Sequence, residues 1–149
     1  MTDTALRYVE AGRLAAVPNA IVRWLAEHGV SLFGTRVLYV RGRKSGRRRS
    51  TVVNLLTMDG ERYLVCPRGN SQWVRNLRAA EGRGELGLGR RVEPFAAVEI
   101  PDADKPAILR AYLKRWKWQV AALFEGVGPD SSDEELLRVA PGYPVFRLT

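Results

Sequence analysis

The chain has 149 residues, with 24 Lys and Arg against 16 Asp and Glu and a formal net charge of +8. That length suits one domain with a real core, and 46% hydrophobic and 27% charged content excludes a disordered or fibrous chain. A single cysteine and a single histidine exclude an intrachain disulfide and a closed zinc site of the usual kind, while the positive balance favours an anionic partner: nucleic acid, a phosphorylated cofactor or an anionic membrane surface.

Residues 1–34 read as an N-terminal helical segment packed on or beside the remainder, with 1–149 forming a single domain. Ile21, Leu25 and His28 fall on one stripe, Pro18 starts a new helix, and Gly29 ends it. The N-terminus lacks a basic stretch followed by a continuous apolar run, so no signal peptide is expected, and Val30 to Phe33 is far too short to span a bilayer.

β-Branched, apolar runs predict strands over 36–41 and 50–58. Asp59-Gly60 is the strongest hairpin signal and leads into a third strand over 61–66. Pro67-Arg68-Gly69-Asn70 reads as a loop, and Ser71 as the cap of a short helix over 72–80 on which Trp73, Asn76 and Leu77 share a face. After a break at 82–84, strands over 85–89 and 92–100 flank Arg90-Arg91. A helix begins at Asp102 or Asp104, tolerates Pro106 in its first turn, and repeats Ile108, Leu109, Tyr112, Leu113 and Trp116 at helical spacing. A loop over 126–132, a short helix over 133–139 and a strand over 143–149 complete the chain. The pattern is α+β: five or six short, mostly hairpin-connected strands in an antiparallel sheet or barrel with peripheral helices. Strands and helices do not alternate regularly, which argues against a doubly wound parallel sheet.

The most informative segment is Arg41-Gly42-Arg43-Lys44-Ser45-Gly46-Arg47-Arg48-Arg49, in which six of nine residues are cationic. Its glycines and serine bring backbone N–H groups close to an anion, so the loop can cradle a phosphate or polycarboxylate by charge and by bare amides together. The flanking strands make it a held turn, where a purely solubilising charge run needs no such Lys-Ser-Gly core.

Reactive side chains are few. His28 lies among apolar helix residues and Cys66 within Tyr63-Leu64-Val65-Cys66, so neither reads as a nucleophile or base, and no metal site is expected. Asp102, Asp104, Glu134 and Glu135 read as helix-start residues favoured by the dipole. Such a chain suits a division of labour in which a bound cofactor carries the chemistry and the protein binds and orients. Tyr112 and Trp116 read as core. Trp73, just after the 67–70 loop, is the better candidate to meet a planar ring, and Trp118 and Tyr143 are candidates for a substrate pocket.

Val40-Arg41-Gly42-Arg43-Lys44-Ser45-Gly46-Arg47-Arg48-Arg49-Ser50-Thr51 resembles the fingerprint of deazaflavin-dependent nitroreductases. Asp59-Gly60-Glu61-Arg62-Tyr63-Leu64-Val65 follows at that family's distance, Trp73-Val74-Arg75-Asn76-Leu77-Arg78-Ala79 resembles its Trp-x-x-Asn-Leu-x-Ala helix, and Pro144-Val145-Phe146-Arg147-Leu148 the ending of one branch. The match is strong over about 35–80 and weak elsewhere.

The resemblance implies a split β-barrel of about six mostly antiparallel strands with peripheral helices, related in shape to flavin-binding pyridoxamine-phosphate oxidases. It implies the deazaflavin coenzyme F-420, whose tail carries a phosphate and several glutamates. Arg43, Lys44, Ser45, Gly46 and Arg49 match positions that hold that tail, Val53 and Asn54 lie on the strand that approaches the cofactor, and Arg68, Gly69, Trp73 and Asn76 match the region beside the ring. The implied reaction is hydride transfer from the reduced coenzyme to a small electron-poor acceptor: a quinone, a nitro compound or an activated alkene. No catalytic side chain is assigned, because the coenzyme supplies the hydride. The family's usual Pro-Ala-Trp-Tyr-His-Asn is here Ser71-Gln72-Trp73-Val74-Arg75-Asn76, which removes the Tyr-His pair as a proton source.

Two alternatives stand beside this reading: an FMN-dependent reductase, and a non-catalytic binding protein for lipid or another amphipathic anion. Nucleic acid is not expected as a specific partner, since no helix-turn-helix, zinc finger or RNA-binding fingerprint is present. The expected location is cytoplasmic, with peripheral contact to a membrane or lipid left open by Arg23 and Trp24, and the oligomeric state is left open by the sequence.

Overall fold

The computed structural model describes residues 34–124 and 126–149, so the helical reading of the first 33 residues, with His28, lies outside the described residues. Six strands run β1 (Thr35–Arg41), β2 (Arg48–Met58), β3 (Glu61–Val65), β4 (Arg83–Leu88), β5 (Arg91–Glu99) and β6 (Val145–Leu148). They close into a barrel in the order β1-β2-β3-β6-β5-β4, and β4 pairs back onto β1. Every pairing is antiparallel. Helices α1 (Gln72–Ala79), α2 (Pro106–Val120) and α3 (Asp133–Val139) surround it. The chain is thus α+β with a split-barrel form.

Two tight turns set the registers. Met58 pairs with Glu61, and both turn residues take positive φ, Asp59 at 52° and Gly60 at 78°. That is the primed turn whose twist matches the flanking strands. Leu88 pairs with Arg91, so the second turn is centred on Gly89-Arg90 with Gly89 at φ 63°. The sequence places that turn at Arg90-Arg91, one residue late, because the charged pair masks the glycine that the left-handed position needs.

Alternation along the strands divides the apolar residues between two cores. Leu38, Val40, Val53, Leu64, Leu86, Phe95, Phe146 and Leu148 fill the barrel, where Val74 and Leu77 of α1 cap them. Leu56, Tyr63, Val65 and Val145 point the other way, to be covered by α2 and α3 through Leu109, Tyr112, Leu113, Trp116 and Leu136. Tyr112 and Trp116 are therefore core, as their spacing indicates, and Cys66 is a buried member of the barrel interior.

Ser132 caps α3 with a full capping box: its Oγ accepts from the Glu135 amide, and the Glu135 carboxylate accepts from the Ser132 amide. The bonds that the Glu135 carboxylate accepts from the Ser132 amide and hydroxyl hold its carboxyl below its ordinary range. Ser71 does not cap α1 with its side chain. Its Oγ lies 3.3 Å from Cys66 Sγ, so the hydroxyl serves the loop that enters the helix.

Candidate functional site

The basic segment is the β1–β2 hairpin, with Arg41 closing β1 and Arg48 opening β2. β2 begins two residues earlier than its apolar pattern indicates, since pairing of Arg48 with Arg41 and Arg49 with Val40 extends the ladder through charged residues. Inside the turn the Gly42 amide donates to the Arg47 carbonyl at 2.7 Å, and the Gly46 amide to the Gly42 carbonyl at 2.9 Å. Gly42 is buried, and a Cβ there would lie 2.8 Å from Ser45 Oγ and 3.3 Å from the Arg47 carbonyl oxygen, so a larger residue would crowd the turn. The Ser45 hydroxyl accepts from the Arg47 amide at 3.2 Å.

The cations of the hairpin divide by partner. Arg48 stacks over the Tyr39 ring and pairs with Glu85 at 3.2 Å. Arg43 donates to Asn76 and Gln72 of α1. Arg41, Lys44, Arg47 and Arg49 are exposed, and none has an ion-pair partner among the described residues. The Lys44 and Ser45 amides likewise meet no protein acceptor among them. Unpaired guanidinium and ammonium groups beside bare amides form a donor set for phosphate and carboxylate oxygens.

A groove of about 740 Å³ runs along the hairpin, walled by Arg41, Gly46 and Arg48, by Tyr39 and Val40 of β1, by Ala79 and Ala80 at the end of α1, and by Arg83, Gly84 and Glu85 of β4. Its volume lies within the usual range of small-molecule sites, about 300–1,000 Å³. The wall exists because β4 pairs with β1, setting Glu85 opposite Tyr39.

The candidate residues fall into separate places. Arg43, Lys44, Ser45, Gly46 and Arg49 share the hairpin, and Asn76 joins them by its bonds to Arg43. Arg68 and Gly69 occupy the turn that leads into α1, where Gly69 takes φ 88°. Trp73 follows on α1, half-buried against the barrel interior that contains Val53, with its ring 5.9 Å from that of Phe146. Asn54 lies on the opposite face of β2 from Val53: its Nδ2 donates to Gln119 of α2 at 2.9 Å. The pleat prevents both residues from facing one ligand.

Tyr143 is 1% exposed, its ring stacked on Phe124 and its hydroxyl donating to the Leu123 carbonyl at 2.7 Å. It is a core residue of the outer cluster, not a wall of the hairpin groove. Trp118 is 61% exposed on α2, with its indole N–H donating to the Arg115 carbonyl, and it too is not among the residues that line the groove. Sequence reasoning misses Gln72, Tyr39, Arg83 and Glu85. Gln72 carries no signal beyond lying one helical turn before Asn76, and the other three are joined only by the long-range β1–β4 pairing.

Among the described residues no group of three or more His, Cys, Asp or Glu side chains is placed to hold a metal ion, and no helix is long and apolar enough to cross a membrane.

A closed antiparallel six-strand barrel with helices outside it is a split-barrel-like α+β fold. The chain belongs to the F420H(2)-dependent quinone reductase family, whose model matches residues 19–121. It is accordingly an oxidoreductase. Its structure is similar to that of FDR-A, an F-420-H2-dependent reductase, at 15% identity and a TM-score of 0.51 over 78% of this chain and 94% of that one. It is also similar to a domain-swapped dimer, at 16% identity and a TM-score of 0.54 over 89% of this chain and 100% of that one. A protein of unknown function from Agrobacterium tumefaciens matches at 18% identity and a TM-score of 0.56, over 94% of this chain and 57% of that one. At these identities the structural likeness establishes the fold alone. Curated protein sequences contain no match.

Proposed function

We propose that this chain binds F-420 through the 42–49 hairpin and passes hydride from the reduced coenzyme to a quinone. The observation that carries the reading is the set of unpaired cations, Arg41, Lys44, Arg47 and Arg49, on a turn that borders a groove of about 740 Å³. A tail bearing phosphate and carboxylates matches that donor set in charge and in hydrogen-bonding type.

Lys44 and Arg49 bind the tail by charge-assisted hydrogen bonds, and the Lys44 and Ser45 amides donate to its oxygens. Arg68, Gly69 and Trp73, at the entrance of α1, would hold the ring, with Val53 in the barrel interior against which Trp73 packs. Asn54, turned toward α2, supports that wall from outside. When bound, the reduced coenzyme would supply a hydride, that is, two electrons together with one proton, and the quinone would take its second proton from solvent. The family gives the FMN alternative no support, and names a quinone as acceptor; nitro compounds and activated alkenes are competing acceptors to be measured.

Titration with oxidised F-420, followed by its fluorescence, tests the reading. Saturable binding that FMN and a fatty acid fail to displace, with reduced F-420 oxidised on addition of a quinone, is the expected result. No binding of F-420 at low ionic strength, or displacement by equimolar FMN, overturns it.

A further inference from the structure

Arg43 has the residue type and the position of a tail ligand, yet its backbone N–H and its Nη1 are engaged by α1. Its backbone N–H donates to Asn76 Oδ1 at 3.1 Å, and its Nη1 donates to the same oxygen at 2.8 Å and to Gln72 Oε1 at 2.8 Å. Both groups that meet the Asn76 carboxamide are donors, which fixes the carbonyl end of that side chain toward Arg43. Asn76 is 4% exposed, so its oxygen is a buried acceptor held on a rigid element, while Gln72 closes the same bond from the solvent side. The link joins residues 33 positions apart and ties α1 to a turn whose other internal bonds are all local.

We propose that Asn76 is a positioning residue: through Arg43 it clasps the basic hairpin to α1, so that the unpaired cations stay gathered where their mutual repulsion acts to spread them. The role of the clasp in coenzyme binding rests on the reading above; the clasp itself does not. Arg43 then serves the clasp through its backbone N–H and Nη1. Like charges packed into one turn repel, and a turn held only by its own local bonds opens easily. A buried oxygen that accepts both a main-chain and a charged side-chain donor opposes that opening at the base of the loop.

Trypsin under native conditions reads the clasp without any ligand, because the hairpin carries its cleavage sites at Arg43, Lys44, Arg47, Arg48 and Arg49. Asn76→Leu removes the acceptor at nearly the same volume, and cleavage within 43–49, located by mass spectrometry, is expected to rise about ten-fold or more, as for loss of a bond to a charged group. Asn76→Asp keeps the oxygen and is expected to keep the hairpin protected, which separates loss of the acceptor from damage to the helix. Gln72→Ala removes only the exposed bond and folds regardless of the buried position; a rise of roughly two- to five-fold is expected, as for one exposed hydrogen bond. Fluorescence titration of Asn76→Leu with F-420 is expected to show affinity reduced about ten-fold, in step with the cleavage rate.

Unchanged cleavage in both Asn76→Leu and Gln72→Ala overturns the clasp. So does an Asn76→Asp hairpin cut as fast as Asn76→Leu. Protection lost in Asn76→Leu with F-420 affinity intact shows a clasp that does not serve binding, and overturns the positioning role. Wild-type protein that fails to bind F-420 while the trypsin results hold refutes the coenzyme reading and leaves the clasp standing.

Discussion

The guanidinium carbon of Arg48 lies 3.8 Å from the centre of the Tyr39 ring, and its Nη2 lies 3.2 Å from the Glu85 carboxylate. Tyr39 pairs with Ser50 on β2 and with Glu85 on β4, so Arg48 reaches the ring on the diagonal, two residues along its own strand. The ring lies over Gly87, where a Cβ would come within 2.9 Å of it. One cation of the hairpin is thereby given partners within the protein and stitches three strands.

Arg48→Ala is accordingly a stability variant. An exposed cation–π contact and an exposed ion pair together contribute about 1 kcal/mol. Urea unfolding of Arg48→Ala should show a loss of that order, with F-420 affinity changed less than in Arg49→Ala. A loss of affinity equal to that of Arg49→Ala would sink this division of roles.

Lys44→Ala and Arg49→Ala should behave in the opposite way. Both side chains are exposed and unpaired, so unfolding should be nearly unaffected, while each lost charge-assisted bond weakens F-420 binding by about 1.5–3 kcal/mol. Added salt should erode wild-type affinity by screening the same interactions. Unchanged affinity in both single variants and in the double variant refutes the assignment.

Two glycines at positive φ differ in their surroundings. A Cβ placed on Gly46 (φ +71°) would meet nothing within 4 Å, so Gly46→Ala carries only the cost of the left-handed conformation, about 1 kcal/mol. Gly82 (φ +82°) joins α1 to β4, donates to the Leu77 carbonyl and accepts from the Ala97 amide, and a Cβ there would strike the Ala97 carbonyl oxygen. Gly82→Ala should therefore lose upwards of about 3 kcal/mol or fail to fold. Thermal melts of the two variants side by side decide the matter, and equal losses would show that the Gly82 crossing has room for a methyl group.

Burial raises the Cys66 thiol, against weaker opposing bonds from Ser71 and Arg68, and burial likewise raises the Tyr112 phenol. The folded chain thus holds both protons more tightly than the unfolded chain does. Their contribution to stability is complete below the unfolded values, about 8.5 for Cys and 10 for Tyr, and is lost as pH rises through and above them. Denaturant midpoints should fall progressively above about pH 8.5, and Cys66 should resist iodoacetamide at about pH 8 in folded protein. A midpoint constant to about pH 10.5, or rapid alkylation of native protein, contradicts this.

Strand and helix positions were largely legible from residue patterns. Helix 133–139 and the Asp59-Gly60 hairpin stand where capping and turn chemistry place them, because both signals are local. The start of β2 at Arg48 was not legible, since a run of arginines has no strand signature and becomes extended only by pairing with β1. The hairpin itself was visible as a cluster of charge. Which of its cations are free was not, because the partners of Arg43 and Arg48 lie on α1 and β4, far along the chain. Tyr143 and Trp118 show the same limit: both are aromatic near the C-terminal half, and only packing buries one at 1% exposure and leaves the other at 61%.

By itself, then, the order of residues determined the α+β class, the run of short antiparallel strands and a dense cationic turn, because periodicity, turn residues and charge act over a few positions. The closing pairs, β4 on β1 and β6 between β3 and β5, came only with the tertiary structure. So did the separation of Asn54 from Val53 and the sorting of hairpin cations into bonded and unbonded. These depend on contacts between distant segments, whose geometry no local pattern encodes.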